Sequence, residues 1–243
     1  MSALYVVATP IGNLDDLSPR AINTLKEVDL ITAEDTRRTG SLLKQLKINR
    51  PLVSVHDHNE KQQTFVLVEK IKMGANIALV SDAGTPLISD PGFNLVERCH
   101  AESLPVIPIA GPCAVTAALS VAGIPTDRFS FEGFVPSKQK ARSDFYQRLA
   151  NESRTLVFFE APHHIEISLK DLEKIVGGHR QLAICRELTK VFEQVVRGSI
   201  ADLRHAVVNG AIGSKGEFVL VLARAKKTSN SDIDRLLTAL LPD

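Results

Sequence analysis

The sequence predicts a two-domain α/β protein, with a mostly parallel sheet in its N-terminal part and a mixed sheet in its C-terminal part. Three observations lead there. Apolar runs of strand length alternate with segments of helical period through the first half. In the second half two strand-like runs follow each other with little between them, which requires an antiparallel pair. A chain of 243 residues with 44% hydrophobic content also holds enough apolar material for one large or two modest cores.

In chain order, residues 4–8 read as a strand. Ser18 is an N-cap with Pro19 at the first helical position, opening a helix to about Glu27. A strand over 29–33, a helix over 39–46, a strand over 52–55 and a helix over 62–73 continue the rhythm. A strand over 77–80, a helix over 93–101 and a strand over 105–109 complete it. The second half carries strand candidates over 129–132, 155–159, 181–187, 193–198 and 216–223, and helices over 139–150, 165–176 and 200–209. The expected domains are 1–121 and 122–225, joined near 121–125. The polar linker KKTSNSD and a short amphipathic helix over 233–241 occupy 226–243.

The charge is nearly balanced: 29 basic and 28 acidic side chains leave a formal net charge of +1. This excludes a disordered, collagenous or acidic-tail protein, and it lacks the basic excess that often accompanies nucleic-acid binding. Cys99, Cys113 and Cys185 are odd in number and include no C-x-x-C spacing, which predicts core thiols in a reducing compartment. The first residues, MSALYVVATPIGN, have no basic region before a short apolar run and read as a strand rather than a signal peptide. Residues 103–126 carry no charge, but Pro105, Pro108, Gly111, Pro112, Gly123 and Pro125 interrupt them. A buried strand, a tight turn and a buried helix are therefore expected rather than a membrane span, in a soluble cytoplasmic protein.

Several familiar sites are absent. The sequence has no P-loop, no dinucleotide fingerprint and no nucleophile elbow. It does have Gly/Pro-rich turns after the first-half strands, where open α/β sheets bind ligands. Thr9-Pro10-Ile11-Gly12-Asn13 is the first of these, although an ordinary strand-to-helix turn explains it equally well. Ser81 to Gly92, SDAGTPLISDPG, is long and dense in Asp, Pro and Gly, and reads as a binding loop. Ala110-Gly111-Pro112-Cys113-Ala114 has small residues that leave room for a flat ring against the backbone.

Charged clusters lie beside these turns. Ala33-Glu34-Asp35-Thr36-Arg37-Arg38 suits either positioning of a polar substrate or an ion-pair network. His56-Asp57-His58-Asn59-Glu60 has a metal-like composition but lacks a third ligand at useful spacing, so polar contacts or a substrate loop are expected there instead. Phe158-Phe159-Glu160-Ala161-Pro162-His163-His164 and Arg186-Glu187-Leu188-Thr189-Lys190 each set charge beside an apolar wall, as a cleft requires.

Taken in order, LYVVATPIGNLDDLS, AEDTRRTG, HDHNE, SDAGTPLISDPG, GPCAVTAALSVAGIP, FEGFVP, FFEAPHH, RELTKVFE and GEFVLVL closely resemble the 16S rRNA cytidine 2′-O-methyltransferase family. That family belongs to the tetrapyrrole (corrin/porphyrin) methylase superfamily, and the resemblance runs from about Leu4 to Leu222. It implies a tetrapyrrole-methylase-like fold, S-adenosylmethionine in the interdomain cleft, no metal, and a homodimer with no membrane association. The implied substrate is a cytidine ribose, cytidine 1402 of 16S rRNA, in the small ribosomal subunit. By the superfamily pattern, Pro10, Ile11 and Gly12 correspond to the first loop. Asp82, Ala83, Gly84, Thr85 and Ile88 fall on the loop that holds the methionine end of the cofactor, with Cys113 and Ala114 beside it. Phe159, Glu160 and Leu188 fall on further cofactor positions. Family members commonly carry Arg where this chain has His164, and commonly continue past the linker into a longer helical segment.

A ribose 2′-hydroxyl is a poor nucleophile near neutral pH, so a base or a nearby cation is expected to assist it. Asp35, Glu160 and Glu187 are the candidate bases, with Arg37 and Lys190 orienting or stabilising charge. RNA contact is expected from Lys44, Lys47 and Arg50, and from Lys138, Lys140, Arg142 and Arg148, each cluster being equally readable as a solvated face. Two alternatives share some of these features. A small-molecule tetrapyrrole methylase would use the same loops, although 5% aromatic content and no tryptophan offer it little stacking surface. A non-catalytic ribosome-associated protein would not need those loops. The near-zero net charge predicts weak binding to naked RNA and recognition through a structured substrate.

Overall fold

A computed structural model describes residues 2–56 and 58–225, and its contacts divide the chain into two units. The first comprises the chain through Ala117 together with Glu187–Glu193. The second comprises Ala118–Arg186 and the chain from Gln194.

The first unit is built on five parallel strands: β1 (Leu4–Val7), β2 (Leu30–Ala33), β3 (Leu52–Ser54), β4 (Ile77–Leu79) and β5 (Val106–Ile109), in the order β3-β2-β4-β1-β5. Successive side chains point to opposite faces, and both faces are covered. Val7, Ile31, Ala78 and Ile109 pack with helices α1 (Pro19–Glu27) and α2 (Thr36–Gln45) through Ala21, Leu25 and Leu43. Leu4, Leu30, Ile77 and Leu79 pack with α3 (Glu60–Lys72) and α4 (Phe93–Ala101) through Leu67, Ile71, Leu95 and Cys99. Every strand is apolar on both faces, which is why the sequence shows continuous runs and little alternation. β1 lies between β4 and β5, so the three Gly/Pro-rich turns that follow these strands emerge side by side at their carboxyl ends.

Helix α2 begins a turn earlier than its periodicity predicts. The Asp35 side chain accepts a hydrogen bond from the Arg37 amide and caps the helix, so Thr36-Arg37-Arg38 is a first helical turn and not part of a strand end. The uncharged stretch after Ser103 folds as β5, a turn and α5 (Ala114–Val121). Among the described residues no helix is long and apolar enough to cross a membrane.

The second unit holds a mixed sheet of β6 (Phe129–Phe134), β7 (Thr155–Glu160), β8 (Gln181–Arg186), β9 (Gln194–Ser199) and β10 (Phe218–Leu222), in the order β6-β7-β10-β8-β9. Only the β6–β7 pair is parallel. Helices α6 (Gln139–Leu149), α7 (Ile165–Val176) and α8 (Ile200–Val208) contribute to one core, where Tyr146, Leu169, Leu172 and Leu203 meet Leu156, Phe158, Ile184 and Leu220. Strands β8 and β9 pair from Arg186↔Gln194 to Gln181↔Ser199, as their closeness in sequence requires, and Glu187–Glu193 forms the connection between them. The helix expected over 233–241 lies outside the described residues.

Candidate functional site

Hydrogen bonds lace the strand-end turns of the first unit together. Thr9 and Gly84 exchange backbone bonds of 2.9 and 3.0 Å across an isolated antiparallel bridge, and the Thr9 hydroxyl donates to the Ser81 carbonyl at 3.3 Å. The Thr85 hydroxyl donates to the Pro112 carbonyl at 3.0 Å, tying the turn after β4 to the turn after β5. Gly84 has φ +83°, and a Cβ there would stand 3.2 Å from Ile11 Cγ2 and 3.7 Å from the Pro112 oxygen. Of the expected cofactor residues, Pro10, Ile11, Gly12, Asp82, Ala83, Gly84, Thr85, Ile88, Cys113 and Ala114 all lie on these three turns or, for Ala114, at the first residue of α5.

Segment Glu187–Glu193 joins them, bringing Leu188 and Lys190 to the first turn. The Asn13 amide donates to Thr189 Oγ1 at 3.1 Å. A Cβ on Gly12 would overlap Lys190 Cγ, and would lie 2.9 Å from Thr189 Oγ1 and 3.0 Å from the Leu188 carbonyl oxygen. The segment is internally fixed: Lys190 Nζ donates to Glu187 Oε1 at 2.9 Å, and the Thr189 amide donates to Glu193 Oε2 at 2.6 Å. Among the described residues six non-glycines have left-handed φ, and four of them, Leu87, Ser89, Glu187 and Thr189, fall in these loops. Such conformations cost about 1–3 kcal/mol each where a side chain is present, and they persist where the surroundings over-determine them.

Asp35 is not poised as a base. Its side chain receives the Arg37 guanidinium at 2.8 and 3.1 Å, and that hydrogen-bonded partner holds its carboxyl down at about 2. Arg37 itself is exposed. Asp82 has a structural duty: it accepts the Asp35 amide at 3.0 Å and pairs with Arg38 at 3.2 Å, linking the turns after β2 and β4. Sequence reasoning missed Asp90, whose carboxyl is pushed up to about 6 by burial first, and then by the charges of Glu34 and Asp82. It also missed the role of Glu60, which is buried and accepts the Gly92 and Asn94 amides at 3.0 and 2.8 Å. Glu60 thereby caps α4 and ends the long loop. The signal was its place in an acidic, His-containing cluster, but the partners lie more than thirty residues away. Among the described residues no group of three His, Cys, Asp or Glu side chains is arranged to hold a metal, and Asp57 lies outside them.

Phe159 and Glu160 belong to the second unit. Phe159 meets the rings of Phe131 and Phe134 edge-on at 4.8 and 5.2 Å. Glu160 is 2% exposed at the end of β7; its Oε1 accepts the Ala161 amide at 2.7 Å, and burial raises its carboxyl. His164 precedes α7 and its charge acts on Glu160 in the opposite sense. Two residues expected to face RNA are otherwise engaged. Arg142 is 3% exposed and bound to Asp171 at 2.7 and 2.8 Å, and Arg50 donates through Nε to the Lys26 carbonyl at 2.8 Å. Arg142 is therefore a core ion pair and not a phosphate contact; the sequence could not show a partner 29 residues away. Lys138, Lys140 and Arg148 are exposed. Of the cysteines, Cys99 and Cys185 are buried and Cys113 is half-buried.

Residues 3–204 match the family described as Tetrapyrrole (Corrin/Porphyrin) Methylases. The chain is 48% identical over 229 residues to the ribosomal RNA small subunit methyltransferase I of Haemophilus influenzae, covering 94% of this chain and 81% of that one. To the protein of the same name from Xylella fastidiosa strain Temecula1 it is 49% identical over 245 residues, covering 98% and 90%. The fold is similar, with a TM-score of 0.62 over the full length of both chains, to uroporphyrin-III-C-methyltransferase from Thermus thermophilus at 18% identity.

Proposed function

The chain belongs to the tetrapyrrole (corrin/porphyrin) methylase family, and from that premise we propose that it methylates the 2′-oxygen of a cytidine ribose in 16S rRNA, using S-adenosylmethionine. The observation that carries this reading is near-50% identity across almost the whole chain to proteins named ribosomal RNA small subunit methyltransferase I. The site is proposed as cytidine 1402, and the enzyme as a cytoplasmic homodimer.

The first-unit turns fit such a cofactor. Buried Gly84 lets the turns after β1, β4 and β5 converge closely, and half-buried Ile11, Ile88 and Cys113 supply apolar walls. Polar main-chain atoms of Ala83, Thr85 and Ala114 supply hydrogen-bonding partners for a charged amino-acid end. Pro10, Ile11, Gly12, Asp82, Ala83, Gly84, Thr85, Ile88, Cys113, Ala114 and Leu188 are the residues of the first unit proposed to hold it. When bound, S-adenosylmethionine supplies a methyl group activated on a sulfonium.

The protein's share of the chemistry is alignment and charge. The hydrogen-bonded turns hold the reactants in line and exclude water. Asp35 is engaged in capping α2 through the Arg37 amide, and Glu160 is enclosed in its own unit. Glu187 and Lys190 remain as the pair that acts on the ribose. The Glu187 carboxylate is proposed to take the 2′-proton and the Lys190 ammonium to stabilise the oxygen that develops charge. Incubation with labelled S-adenosylmethionine and small ribosomal subunits, free 16S rRNA or a porphyrin precursor tests the reading. Label in the RNA is expected, and label in the porphyrin alone would overturn it.

A further inference from the structure

In the second unit a groove of about 860 Å³ runs along the outer face of α7, bounded by the start of α6 and by α8. It holds four cations, Arg142, Lys170, Lys174 and Arg204, against two carboxylates, Asp171 and Glu173, and a single apolar side chain, Ile167. The pairing within it is specific. Asp171 is taken by Arg142, and Glu173 by Arg204 at 2.5 Å, so both acids are already neutralised. Lys170 and Lys174 are exposed and have no carboxylate partner among the described residues. On α3 and α4, by contrast, Lys72 bridges Glu69 and Glu102, and Arg98 joins Glu102.

The groove is also stiff where it needs to be. The Arg142 guanidinium forms its floor and donates to the carbonyls of Pro136 and Ser137 at 3.3 and 2.7 Å, fixing the entry to α6. The first turn of α6 has no acidic residue and no side-chain cap, so its amides add positive potential beside Ser137 and Gln139. Lys170 and Lys174 stand four residues apart on one helix face, a rise of about 6 Å, which suits consecutive phosphates of one strand.

We propose that this groove is a docking surface for the phosphate backbone of the ribosomal RNA, with Lys170 and Lys174 as the phosphate contacts and the two ion pairs as their scaffold. The proposal deepens the rRNA methyltransferase reading and rests on it for the identity of the RNA. Of the cluster Lys138, Lys140, Arg142 and Arg148 expected from sequence to face RNA or solvent, Arg142 becomes scaffold, and two lysines on the neighbouring helix become the proposed contacts.

The test is equilibrium binding of the full chain to purified small ribosomal subunits and to protein-free 16S rRNA over a range of salt, comparing Lys170→Glu/Lys174→Glu with the parent. The affinity of each form for S-adenosylmethionine checks folding, and Lys61→Glu, on α3 of the first unit, controls for charge reversal at an exposed lysine outside the groove. The double variant is expected to bind subunits at least about tenfold more weakly, with a log–log salt slope shallower by about 1.4–1.8, the contribution of two lost phosphate contacts. Lys61→Glu is expected to bind as the parent does. Parent-like affinity and slope in the double variant would overturn the groove assignment whether or not methyl transfer occurs. Loss of binding to subunits with undiminished binding to protein-free RNA would also overturn it, by making the partner a ribosomal protein. Loss of binding to both, in a chain that methylates no RNA, would sustain the groove and defeat the methyltransferase reading instead.

Discussion

A Cβ at Gly12 would overlap the Cγ of Lys190, although 178 residues separate them in sequence. Segment Glu187–Glu193, which connects two strands of the second unit, is held against the first turn of the first unit through this contact and through the Asn13–Thr189 hydrogen bond. The glycine is needed for close approach and not for a left-handed backbone, so the constraint is steric.

Gly12→Ala is accordingly expected to displace Lys190, since Thr189 Oγ1 and the Leu188 carbonyl also crowd the new methyl group. Overpacking of this kind costs about 1–3 kcal/mol. Thermal unfolding should show the loss, and calorimetry should show at least about tenfold weaker binding of S-adenosylmethionine. Parent-like values in both would show that the segment yields freely.

Glu60→Ala leaves the Gly92 and Asn94 amides without their shared acceptor, in a site that is 6% exposed. A loss of about 2–3 kcal/mol is expected in denaturant unfolding, because hydrogen bonds to a charged group are involved. Glu60→Gln, which keeps one acceptor oxygen, should recover part of it.

Asp90 gives the first unit a pH dependence. Its folded-state value of about 6 lies above the ordinary 3.8, so the protonated form is the one the fold tolerates better. Its stabilising contribution is complete below about pH 4 and is lost as the pH rises through about 6. Asp90→Asn keeps a neutral side chain throughout. It should match the parent near pH 4 and exceed it near pH 7.5 by on the order of 1 kcal/mol, after allowance for solvent screening. Urea unfolding at the two pH values measures this, and a variant that follows the parent at both would exclude the charge cluster as the cause.

Arg142→Met strands Asp171 beside a core position and frees the Pro136 and Ser137 carbonyls. Breaking a buried pair from one side costs about 3–5 kcal/mol. The chain should unfold at markedly lower urea concentration, whereas Lys140→Met, on the same helix but exposed, should change stability by less than about 0.5 kcal/mol.

Local chemistry made much of this legible in advance. Ser18 and Pro19 start α1 where their capping rules place it, and α4 and α7 keep the predicted limits. The strand-end turns are visible because Gly and Pro punctuate apolar runs at Gly12, Gly84 and Gly111. What the sequence hides depends on distant partners. Thr36-Arg37-Arg38 looks like a charged strand end until Asp35 is seen to cap a helix with it. Arg142 looks like a surface cation until Asp171 is found beside it, and Glu187–Glu193 looks like a local hairpin connection until it is found against Gly12. The near-zero net charge conceals a groove whose acids are already paired and whose two lysines are not.

The most direct measurement is nucleoside mass spectrometry of 16S rRNA digested after incubation of small subunits with the chain and S-adenosylmethionine. The account predicts one 2′-O-methylcytidine per subunit, strongly reduced by Lys190→Ala. Methylation on a base, or no methylated nucleoside above the enzyme-free background, would contradict it.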